Sequence, residues 1–445
     1  EMTEADPQIA RLIGIAKQLE GVARNASTHA AGVVISDEPL TELMPLQKAT
    51  NSDALMTQYE MHGVEALGLL KFDFLGLSNL TILREAVDLI RKERGIEVDL
   101  DAIPLDDAKT FELLASGETT GVFQLESAGM RRYIRELRPT TVYDIAAMVA
   151  LYRPGPMDNI PAYIRRKHGQ EAVTYLHPLL EPFLQRTYGI FVYQEDIMAA
   201  AIALGGFTGP EADTLGYAIR KKKSAVLRSM REKFVEQAAE RGVKPEVIDA
   251  VFKAFEPFER YGFNKAHSDA YSKVTMQTAW LATYYPLEFY SALLTKGQSG
   301  EIQDYITDIK KAGIKVLPVD INESKAAHTV QGKSIRLSLK SVLGVGYSAI
   351  EKIVAKQPYT DFFDFLDRSG ATKTSIEPLI MVGAFDKFNK NMKWVEATYQ
   401  LFLSDGKYKS KKWDEFVEKA KALHVDDYEL HQKVELENAL LGFSV

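Results

Sequence analysis

One acidic and one basic side chain interrupt an apolar stretch early in the chain. Residues 71–77 read KFDFLGL, which places Lys71 and Asp73 two positions apart among leucines and phenylalanines. Residues two apart on a strand share one face. Because an unpaired carboxylate in apolar surroundings is costly, two explanations stand. Either Asp73 pairs with Lys71 or faces water, or the chain keeps this charge to hold a metal ion.

Three basic segments lie close together in a chain whose formal net charge is −7. RRYIRELR at 131–138 and YIRRKH at 163–168 are the shorter two, and residues 216–235 are the longest. Seven cationic side chains in that longest segment stand against Glu232: Arg220, Lys221, Lys222, Lys223, Arg228, Arg231 and Lys233. Each segment is explained either as a solvated helix face or as part of a groove for phosphates.

The segment RYGFNKAHSDAY (260–271) has a polar head that leads into an amphipathic helix. Lys265, His267, Ser268 and Tyr271 fall at spacings that allow them to face one cleft. A lysine suits a phosphate, and a tyrosine ring suits a nucleobase. The alternative is an ordinary capped helix with a solvated lysine.

A glycine hinge, LGVG at 343–346, precedes the predicted helix YSAIEKIVA. In a helix-hairpin-helix motif, such a hinge directs backbone N–H groups towards a DNA phosphate, and glycine permits the close approach. This motif contacts the DNA backbone rather than the bases. A second, poorer unit, LIMVGAF, lies at 379–385. An ordinary corner between two helices is the alternative for each unit.

Other functional classes find little support in the residues. The chain has no cysteine, which excludes disulfides, thiolate zinc sites and a cysteine nucleophile, and fits a cytosolic protein. His29 has no second histidine at ligand spacing, so we expect a structural role for it. We find no G-x-S-x-G, H-E-x-x-H, Walker A or G-x-G-x-x-G pattern, and no uncharged run long enough to cross a membrane.

These groups must be positioned by a chain that is mostly helical. Residues 1–76 combine an amphipathic helix with two apolar segments, HAAGVVIS and ALGLLKFDF, which we expect to form short buried strands. Helical periodicity dominates residues 77–325, and a strand-like linker then leads into residues 326–445. The predicted fold class is predominantly α-helical and multidomain, with a short α+β part at the start.

Taken in order, several of these segments resemble one family, the catalytic alpha subunits of bacterial DNA polymerase III, which are the C-family replicative DNA polymerases. The matching motifs are HAAGVVIS (29–36), KFDFLGL (71–77), TTGVFQLES (119–127), ALYRPGPM (150–157), YGIFVYQEDIM (188–198), YGFNKAHSDAY (261–271), LSLKSVLGVG (337–346) and LIMVGAFD (379–386). They occur in one collinear order over most of the chain.

The resemblance implies a palm of nucleotidyltransferase type followed by helical fingers. Residues 1–76 correspond to the C-terminal part of the palm and residues 77–325 to the fingers. Residues 326–445 correspond to a clamp-proximal domain with tandem helix-hairpin-helix motifs. We therefore expect the chain to be a fragment of a longer protein, and we expect this fragment to begin late in the palm.

The chemistry implied by the resemblance is two-metal phosphoryl transfer to a primer 3′-OH, with three acidic residues holding two Mg²⁺ ions. Asp73 matches the third catalytic carboxylate and would be a metal ligand. The residues implied to bind the nucleotide are Lys71, Arg153, Arg220, Lys221, Lys222, Lys265, His267 and Tyr271. The residues implied to bind DNA are Lys340, Gly344, Gly346, Tyr347 and Ser348.

Two features depart from the family pattern. The family's other two catalytic aspartates lie in a P-D-x-D-x-D-type strand, which we expect upstream of residue 1. The acidic pair Asp99-Leu-Asp101 reads as a loop and does not replace them. Gly216 and Tyr217 occupy the positions of an arginine pair that faces the triphosphate, and we expect Arg220 to restore the charge one helical turn later.

The implied partners are primer–template DNA, deoxynucleoside triphosphates, the sliding clamp and other replisome subunits, with no membrane. The implied location is the cytoplasm, in association with the nucleoid. A clamp-binding Q-x-x-[LM]-F peptide is not found, and Gln400-Leu-Phe-Leu is only a weak echo of it. Three hypotheses remain: part of a polymerase, inactive alone for lack of two aspartates; a DNA-binding fragment or paralogue without catalysis; or a helical scaffold.

Overall fold

The computed structural model describes residues 6–22, 25–49, 53–220, 223–255, 258, 262–297, 299–404 and 412–443. The chain divides into two compact units, Glu1–Leu77 and Ser78–Val445, which we call the first and the second unit. The fold is predominantly α-helical, as the sequence predicted. No helix in the described ranges is long and apolar enough to cross a membrane.

The first unit combines short helices with two small antiparallel sheets. Its described elements are α1 (Pro7–Leu19), β1 (Gly32–Ile35), α2 (Leu40–Leu43), β2 (Leu46–Lys48), β3 (Leu55–Thr57), α3 (Met61–Ala66) and β4 (Leu70–Asp73). Strand β1 pairs with β4, and β2 pairs with β3. The register of the first pair sets Gly32 opposite Asp73 and Val34 opposite Lys71.

Strands β1 and β4 form where the sequence predicted strands, but the prediction that they are buried is wrong. Val33 and Phe72 face each other across the pair, and their exposed fractions are 48% and 45%. Ile35 and Leu70, on the same face, are also exposed. Local apolar composition favours a strand, whereas burial depends on a covering element that composition does not specify. Lys71 and Asp73 therefore do not lie in an apolar interior.

The second unit begins with a long run of helices. They are α4 (Ser78–Arg94), α5 (Ala108–Ser116), α6 (Ala128–Leu137), α7 (Val142–Leu151), α8 (Ile160–Lys167), α9 (Glu181–Leu184), α10 (Gln194–Gly205), α11 (Gly209–Arg220), α12 (Ser224–Glu240), α13 (Pro245–Phe255), α14 (Lys265–Tyr284), α15 (Pro286–Lys296) and α16 (Ile302–Lys311). Asp99 caps a 3₁₀ turn at Leu100–Ala102, so the acidic pair 99–101 lies outside the α-helices, as predicted.

A three-stranded sheet and further helices complete the second unit. They are β5 (Lys315–Leu317), β6 (Thr329–Gln331), β7 (Ser334–Arg336), α17 (Tyr347–Ala355), α18 (Phe362–Arg368), α19 (Lys373–Met381), α20 (Met392–Ser404), α21 (Trp413–Lys421) and α22 (Leu430–Leu441). Strand β7 lies between β5, to which it is parallel, and β6, to which it is antiparallel. The strands of this sheet thus lie on both sides of residue 325, and the domain boundary expected there stays a prediction.

Three hydrophobic clusters hold the second unit together. One joins α5–α8 to α14, and a second joins α9–α13. The third combines α4, α15 and α16 with the sheet and α17–α22. Within it, the centre of the Phe385 ring lies 4.9 Å from that of Phe362 and 4.8 Å from that of Phe365. Burial of these aromatic side chains supplies most of the driving force that fixes the helices.

Helix α14 carries the segment predicted to bind the nucleotide. Asn264 caps it, since its Oδ1 accepts a hydrogen bond from the His267 amide at 2.8 Å. Small hydroxyl side chains on its buried face bond to neighbouring backbone: Ser268 Oγ donates to Ala146 O at 2.6 Å, and Thr275 Oγ1 donates to Phe123 O at 3.0 Å. These bonds fix the helix against α7 and against the loop at 119–127. The prediction that Ser268 faces a cleft is therefore wrong, because its side chain is buried against α7.

Candidate functional site

In the first unit, Lys71 and Asp73 form a close ion pair at the end of β4. Lys71 Nζ lies 2.6 Å from Asp73 Oδ1 and 2.8 Å from Asp73 Oδ2. Both side chains share a face with Gly32, and a Cβ built on Gly32 would lie 2.9 Å from Lys71 Cε and 3.0 Å from Asp73 Oδ1. The absence of a side chain at Gly32 is therefore what makes room for the pair.

His29 supports this strand end through the backbone. Its Nδ1 accepts hydrogen bonds from the amides of Gly32 at 2.7 Å and Ala31 at 3.1 Å. The same nitrogen is 3.8 Å from Asp73 Oδ1, too far for a hydrogen bond. Because Nδ1 acts as an acceptor, the neutral ring carries its proton on Nε2. His29 thus has the structural role that the sequence predicted.

The electrostatics of this strand end keep Asp73 ionised. The hydrogen bond from Lys71 lowers the pKa of the Asp73 carboxyl, and the charge of Lys71 acts in the same direction. An ionised carboxylate that reaches solvent has the oxygen donors that Mg²⁺ prefers, so Asp73 fits one ligand of such an ion. A cation there would compete with the ammonium group for both oxygens. Within the described ranges, no three His, Asp or Glu side chains group together as a metal site.

In the second unit, the N-termini of α10 and α14 lie side by side. Glu195 joins them: its Oε1 accepts from Asn264 Nδ2 and its Oε2 accepts from the Lys265 amide, both at 2.9 Å. The Gln194 amide also donates to Phe263 O at 2.9 Å. Lys265 Nζ lies 5.7 Å from the centre of the Tyr193 ring. The positive end of the 20-residue α14 thus already holds one anionic group, the Glu195 carboxylate, and the Lys265 ammonium lies beside it.

A column of rings extends along α14 from this point, and we call it the α14 column. The Arg153 guanidinium lies 4.2 Å from the centre of the Phe263 ring. The column continues through Phe263–His267 at 5.4 Å, His267–Tyr271 at 4.0 Å and Tyr271–Phe123 at 5.1 Å, between ring centres. Three of the predicted nucleotide-binding side chains, Arg153, His267 and Tyr271, are thus brought together, with Lys265 on the same turn of helix.

The acids near Lys265 are held in a less ionised state than usual. Burial raises the pKa of Asp196 to about 6, although its Oδ2 accepts the amides of Val192 and Tyr193 at 2.8 Å. Burial also raises the pKa of Asp269. With a pKa of about 6, Asp196 is still mostly ionised at neutral pH, and it lies with Asp269 and Glu195 among the acids that face Lys265.

The remaining predicted nucleotide-binding residues are Arg220, at the end of α11, and Lys221 and Lys222, which come next in the sequence. Arg220 is the last residue of that helix, and Tyr217 is exposed one turn before it. The side chain of Arg220, together with Lys221 and Lys222, lies outside the described residues. The prediction that Arg220 restores the charge missing at Gly216 and Tyr217 stays a prediction.

The predicted DNA-binding hairpin forms an exposed turn before α17. Gly344 has φ +90°, and Gly346 is the N-cap of α17, which receives no hydrogen bond from a capping side chain. Lys340 Nζ lies 4.9 Å from the centre of the Tyr347 ring, and Ser348 is exposed beside it. Leu343 at the tip is 69% exposed and donates its amide to Leu440 O at 2.9 Å. The five predicted residues therefore share one surface.

The second hairpin, predicted at 379–385, does not present a comparable surface. Gly383 has φ +73°, but its neighbours Val382, Ala384 and Phe385 are buried. A Cβ on Gly383 would lie 3.0–3.2 Å from the carboxyl group of Asp386, whose pKa burial raises to about 6. A carboxyl of the chain itself thus lies against this turn. The second hairpin unit stays a prediction: its glycine forms a turn, and the residues around that turn are packed.

The segment at 400–403, which weakly resembles a clamp-binding peptide, is part of a helix. Gln400-Leu-Phe-Leu lies inside α20, where the Phe402 ring is 5.7 Å from that of Phe416 and 6.2 Å from that of Tyr399. These rings belong to the third hydrophobic cluster. This segment is therefore part of a packed helix rather than an extended peptide.

Two members of the α14 column were missed by sequence reasoning. The ring of Phe263 contacts the Arg153 guanidinium. Phe263 lies four residues before His267 and eight before Tyr271, and this helical spacing could have indicated that it shares their face. Phe123 comes from a distant part of the sequence, and no local pattern indicates its contact with Tyr271. Next to it, Gln124 is exposed at φ +66°, a strained conformation for a residue with a side chain.

Comparisons with known proteins identify the family of the chain. Three family models match: the bacterial DNA polymerase III alpha NTPase domain over residues 1–76, the bacterial DNA polymerase III alpha subunit finger domain over 79–242, and the helix-hairpin-helix motif over 313–394. The DNA polymerase III subunit alpha of Thermus aquaticus is 47% identical over 399 residues, which cover 86% of this chain and 33% of that protein.

Other curated relatives give the same result. The DNA polymerase III subunit alpha of Bacillus subtilis is 44% identical over 86% of this chain and 35% of its own length. That of Caulobacter vibrioides is 43% identical over 90% of this chain and 36% of its own length. The chain spans about a third of the length of these relatives, and it belongs to the family of bacterial DNA polymerase III alpha subunits.

Proposed function

We propose that the chain is part of a replicative DNA-directed DNA polymerase that adds deoxynucleotides to a primer 3′-OH. The observation that carries the proposal is the Asp73 carboxylate, which is ionised and held by Lys71 at an accessible strand end. Its position in KFDFLGL matches the third catalytic carboxylate of the family. The relatives named above, which carry the name DNA polymerase III subunit alpha, support the same assignment.

The proposed cofactor is Mg²⁺, with Asp73 as one of its ligands. Two further carboxylates are expected from the rest of the longer protein. When bound, the ions make the primer hydroxyl more acidic and offset charge on the departing pyrophosphate. Asp73 contributes an anionic oxygen, and the hydrogen bonds from Lys71 hold that oxygen in place. Lys71 is also proposed to contact the triphosphate.

The proposed nucleotide-binding surface is the N-terminus of α14 together with the α14 column. A triphosphate is a multivalent anion, and the helix end, Lys265 and Arg153 are cationic or carry partial positive charge. His267 is exposed and adds a ring donor next to Tyr271. From the sequence we assign the same task to Lys221 and Lys222, which match the family's basic run, and to Arg220, the expected substitute for the missing arginine pair.

The proposed DNA-binding surface is the hairpin before α17. The uncapped amides at the start of α17 suit a backbone phosphate, and Lys340 and Ser348 add a charge and a donor beside them. Gly344 and Gly346 keep the turn free of side chains, so a phosphate can approach the backbone. Tyr347, 60% exposed, provides a flat surface at the edge of this contact.

The proposal is tested in the full-length polymerase of which this chain is part. Asp73→Asn should reduce primer extension by at least 10³-fold while the affinity for primer–template DNA stays within threefold. His267→Ala should raise the KM for nucleotide by about tenfold, whereas Lys273→Ala, a substitution on the same helix, should leave it unchanged. Extension that survives in Asp73→Asn would overturn the assignment.

A second candidate function is a DNA-binding module without catalysis of its own. It is favoured by the finding that Asp73 has no grouped acidic partners in the described part of the chain. The 445-residue chain should bind primer–template DNA with a steep salt dependence and show no extension with Mg²⁺. Templated extension by this chain alone would exclude the second candidate.

The proposed partners are primer–template DNA, deoxynucleoside triphosphates, the sliding clamp and other replisome subunits, as the family implies. The proposed location is the cytoplasm, in association with the nucleoid. Clamp contact is assigned to no residue of this chain, because Gln400-Leu-Phe-Leu lies within the helix α20 and Phe402 packs against Phe416.

A further inference from the structure

Two of the basic segments found in the sequence meet at one cleft in the second unit. The C-terminal ends of α6 and α8 converge there, and His168 Nε2 lies 3.0 Å from Glu136 O. The cleft has a volume of about 460 Å³ and opens to solvent. Its lining residues are Arg135, Glu136, Arg138, His168 and Gln170.

Most of the cations in these segments are already neutralised. Five are paired with carboxylates: Arg131 with Asp308, Arg132 with Glu136, Arg165 and Arg166 with Glu171, and Lys167 with Asp144. Arg135 and Arg138 have no carboxylate within 4.0 Å among the residues that the structure describes. These two are also the arginines that line the cleft, so the uncompensated charge of both segments is concentrated there.

Arg135 is held in position by a glycine. A Cβ built on Gly117, which ends α5 at φ +74°, would lie 2.6 Å from Arg135 Cγ and 2.8 Å from Arg135 Cδ. The aliphatic part of the arginine therefore packs directly over the backbone of Gly117. Fixing this stem reduces the side-chain entropy that the guanidinium would lose on binding a ligand.

Arg138 occupies a conformation that glycine or asparagine would adopt more easily. It ends α6 with φ +46° and ψ +70°, and its amide donates to Ile134 O at 2.9 Å. The left-handed region is strained for a residue with a Cβ, and glycine is the usual solution at this position of a helix. An arginine at this strained position points to a use for its side chain.

The other groups of the cleft also favour an anion. The Glu136 carboxylate faces Arg132 at 3.8 Å, which offsets its charge. His168 Nε2 faces a carbonyl oxygen and so carries a proton in this arrangement, and the Gln170 amide adds two further donors. Two unpaired guanidinium groups on a concave surface are suited to bidentate contact with phosphate oxygens.

We propose that this cleft binds a backbone phosphate of a DNA strand, away from the nucleotide-binding surface of α14. The proposal rests on the proposed function for its choice of nucleic acid as the source of the phosphate. Phosphate contacts of this kind position a strand without reading its sequence. Arg135 and Arg138 would each contribute one charge-assisted contact, and the strained backbone at Arg138 keeps its side chain at the rim.

The test measures binding of a labelled single-stranded oligonucleotide by the 445-residue chain at several salt concentrations. Arg138→Gly relieves the backbone strain, so its Tm should stay equal or rise. Its affinity for DNA should nevertheless fall about fivefold at low salt, and the slope of log Kd against log salt should decrease by about one. Arg135→Ala should have a similar effect, whereas Arg84→Ala, an exposed arginine on α4, should change neither quantity.

The outcomes separate this inference from the proposed function. If the unmodified chain binds DNA but Arg138→Gly and Arg135→Ala match Arg84→Ala, the cleft proposal is wrong and the proposed function stands. If the unmodified chain does not bind DNA, the cleft proposal is wrong, and the proposed function is decided by Asp73→Asn in the full-length polymerase. Loss of binding to a polyglutamate peptide, with DNA binding retained in the two cleft variants, would identify an acidic protein as the ligand and overturn the proposal. Displacement of DNA by inorganic phosphate at matched ionic strength would indicate a site for free phosphate instead.

Discussion

Lys71 donates hydrogen bonds to both carboxylate oxygens of Asp73, at 2.6 and 2.8 Å, from two positions earlier on the same strand. This contact is the largest cause that lowers the pKa of Asp73. Lys71→Ala should therefore raise the pKa of the Asp73 carboxyl towards its ordinary value, as measured by NMR titration of the labelled carboxyl carbon. Lys48→Ala removes a lysine that pairs with Asp53 in the same unit, and should leave the Asp73 titration unchanged. An unchanged titration in Lys71→Ala would show that Lys71 does not control the charge of Asp73.

The two glycines of the exposed hairpin should respond differently to alanine. Gly344 has φ +90°, and an added Cβ would lie 3.3 Å from Pro378 Cγ and 3.4 Å from Thr374 O. Gly344→Ala should thus lower the free energy of unfolding by about 1–2 kcal/mol. Gly346 has φ −79° and open space around it, so Gly346→Ala should cost less, about 0.5 kcal/mol, the loss expected when alanine replaces glycine at an N-cap.

The same pair separates stability from DNA binding. The methyl group of Gly346→Ala would lie at the start of α17, where a phosphate is proposed to approach. This variant should therefore bind duplex DNA more weakly, although its Tm should fall less than that of Gly344→Ala. Chemical denaturation and fluorescence anisotropy on both variants measure the two effects. Equal stability losses at the two positions would contradict the backbone assignment, and unchanged DNA binding in Gly346→Ala would contradict the proposed contact.

The arrangement of the first-unit site was predictable only in part. The shared strand face of Lys71 and Asp73 follows from the two-residue period of a strand. The closeness of the pair to Gly32 does not, because it depends on the register with β1, which is set 40 residues earlier. The exposure of Phe72 was unpredictable for a similar reason: an apolar residue is buried only when another element covers it.

In the second unit too, contacts between residues close in sequence were predictable and contacts between distant residues were not. His267 and Tyr271 are four residues apart on a helix, so their contact follows from spacing alone. Phe123 reaches Tyr271 because two threonines of α14, Thr275 and Thr278, bond to its backbone, and no pattern around Phe123 indicates this. Gly344 and Gly383 illustrate the limit of a motif, since both end a turn at positive φ and only the first is exposed.

Glu126 is expected to destabilise the chain at neutral pH. Burial, reinforced by the charge of Glu301, raises its pKa to about 7 in the folded protein. The folded state therefore favours the protonated form, and stability falls as pH rises from the unfolded pKa near 4.5 towards 7. Glu126→Gln should be about as stable as the parent at pH 4.5 and more stable by about 2–3 kcal/mol at pH 8. Thermal unfolding at the two pH values measures this.

A neighbouring glutamate provides the control for that experiment. Glu118 is exposed in the same loop region, so Glu118→Gln should not change Tm at either pH. A gain in Glu126→Gln that is equal at pH 4.5 and pH 8 would indicate a packing effect rather than the removal of a buried charge, and would contradict the prediction.

His328 should make the second unit less stable as the pH falls, whereas Glu126 makes it less stable as the pH rises. It is buried between two hydroxyl groups, with Thr295 Oγ1 3.0 Å from Nδ1 and Ser341 Oγ 3.1 Å from Nε2. Burial, and to a smaller extent the charge of Lys340, lowers its pKa from 6.5 to about 4. Because the unfolded chain binds the proton more readily, stability should fall by about 3 kcal/mol as pH decreases from 6.5 to 4. His328→Gln keeps a neutral polar side chain and should remove this slope from denaturation curves recorded across that range. The matched change His424→Gln alters an exposed histidine and should preserve the slope, so a slope that persists in His328→Gln would show that another group causes the acid sensitivity.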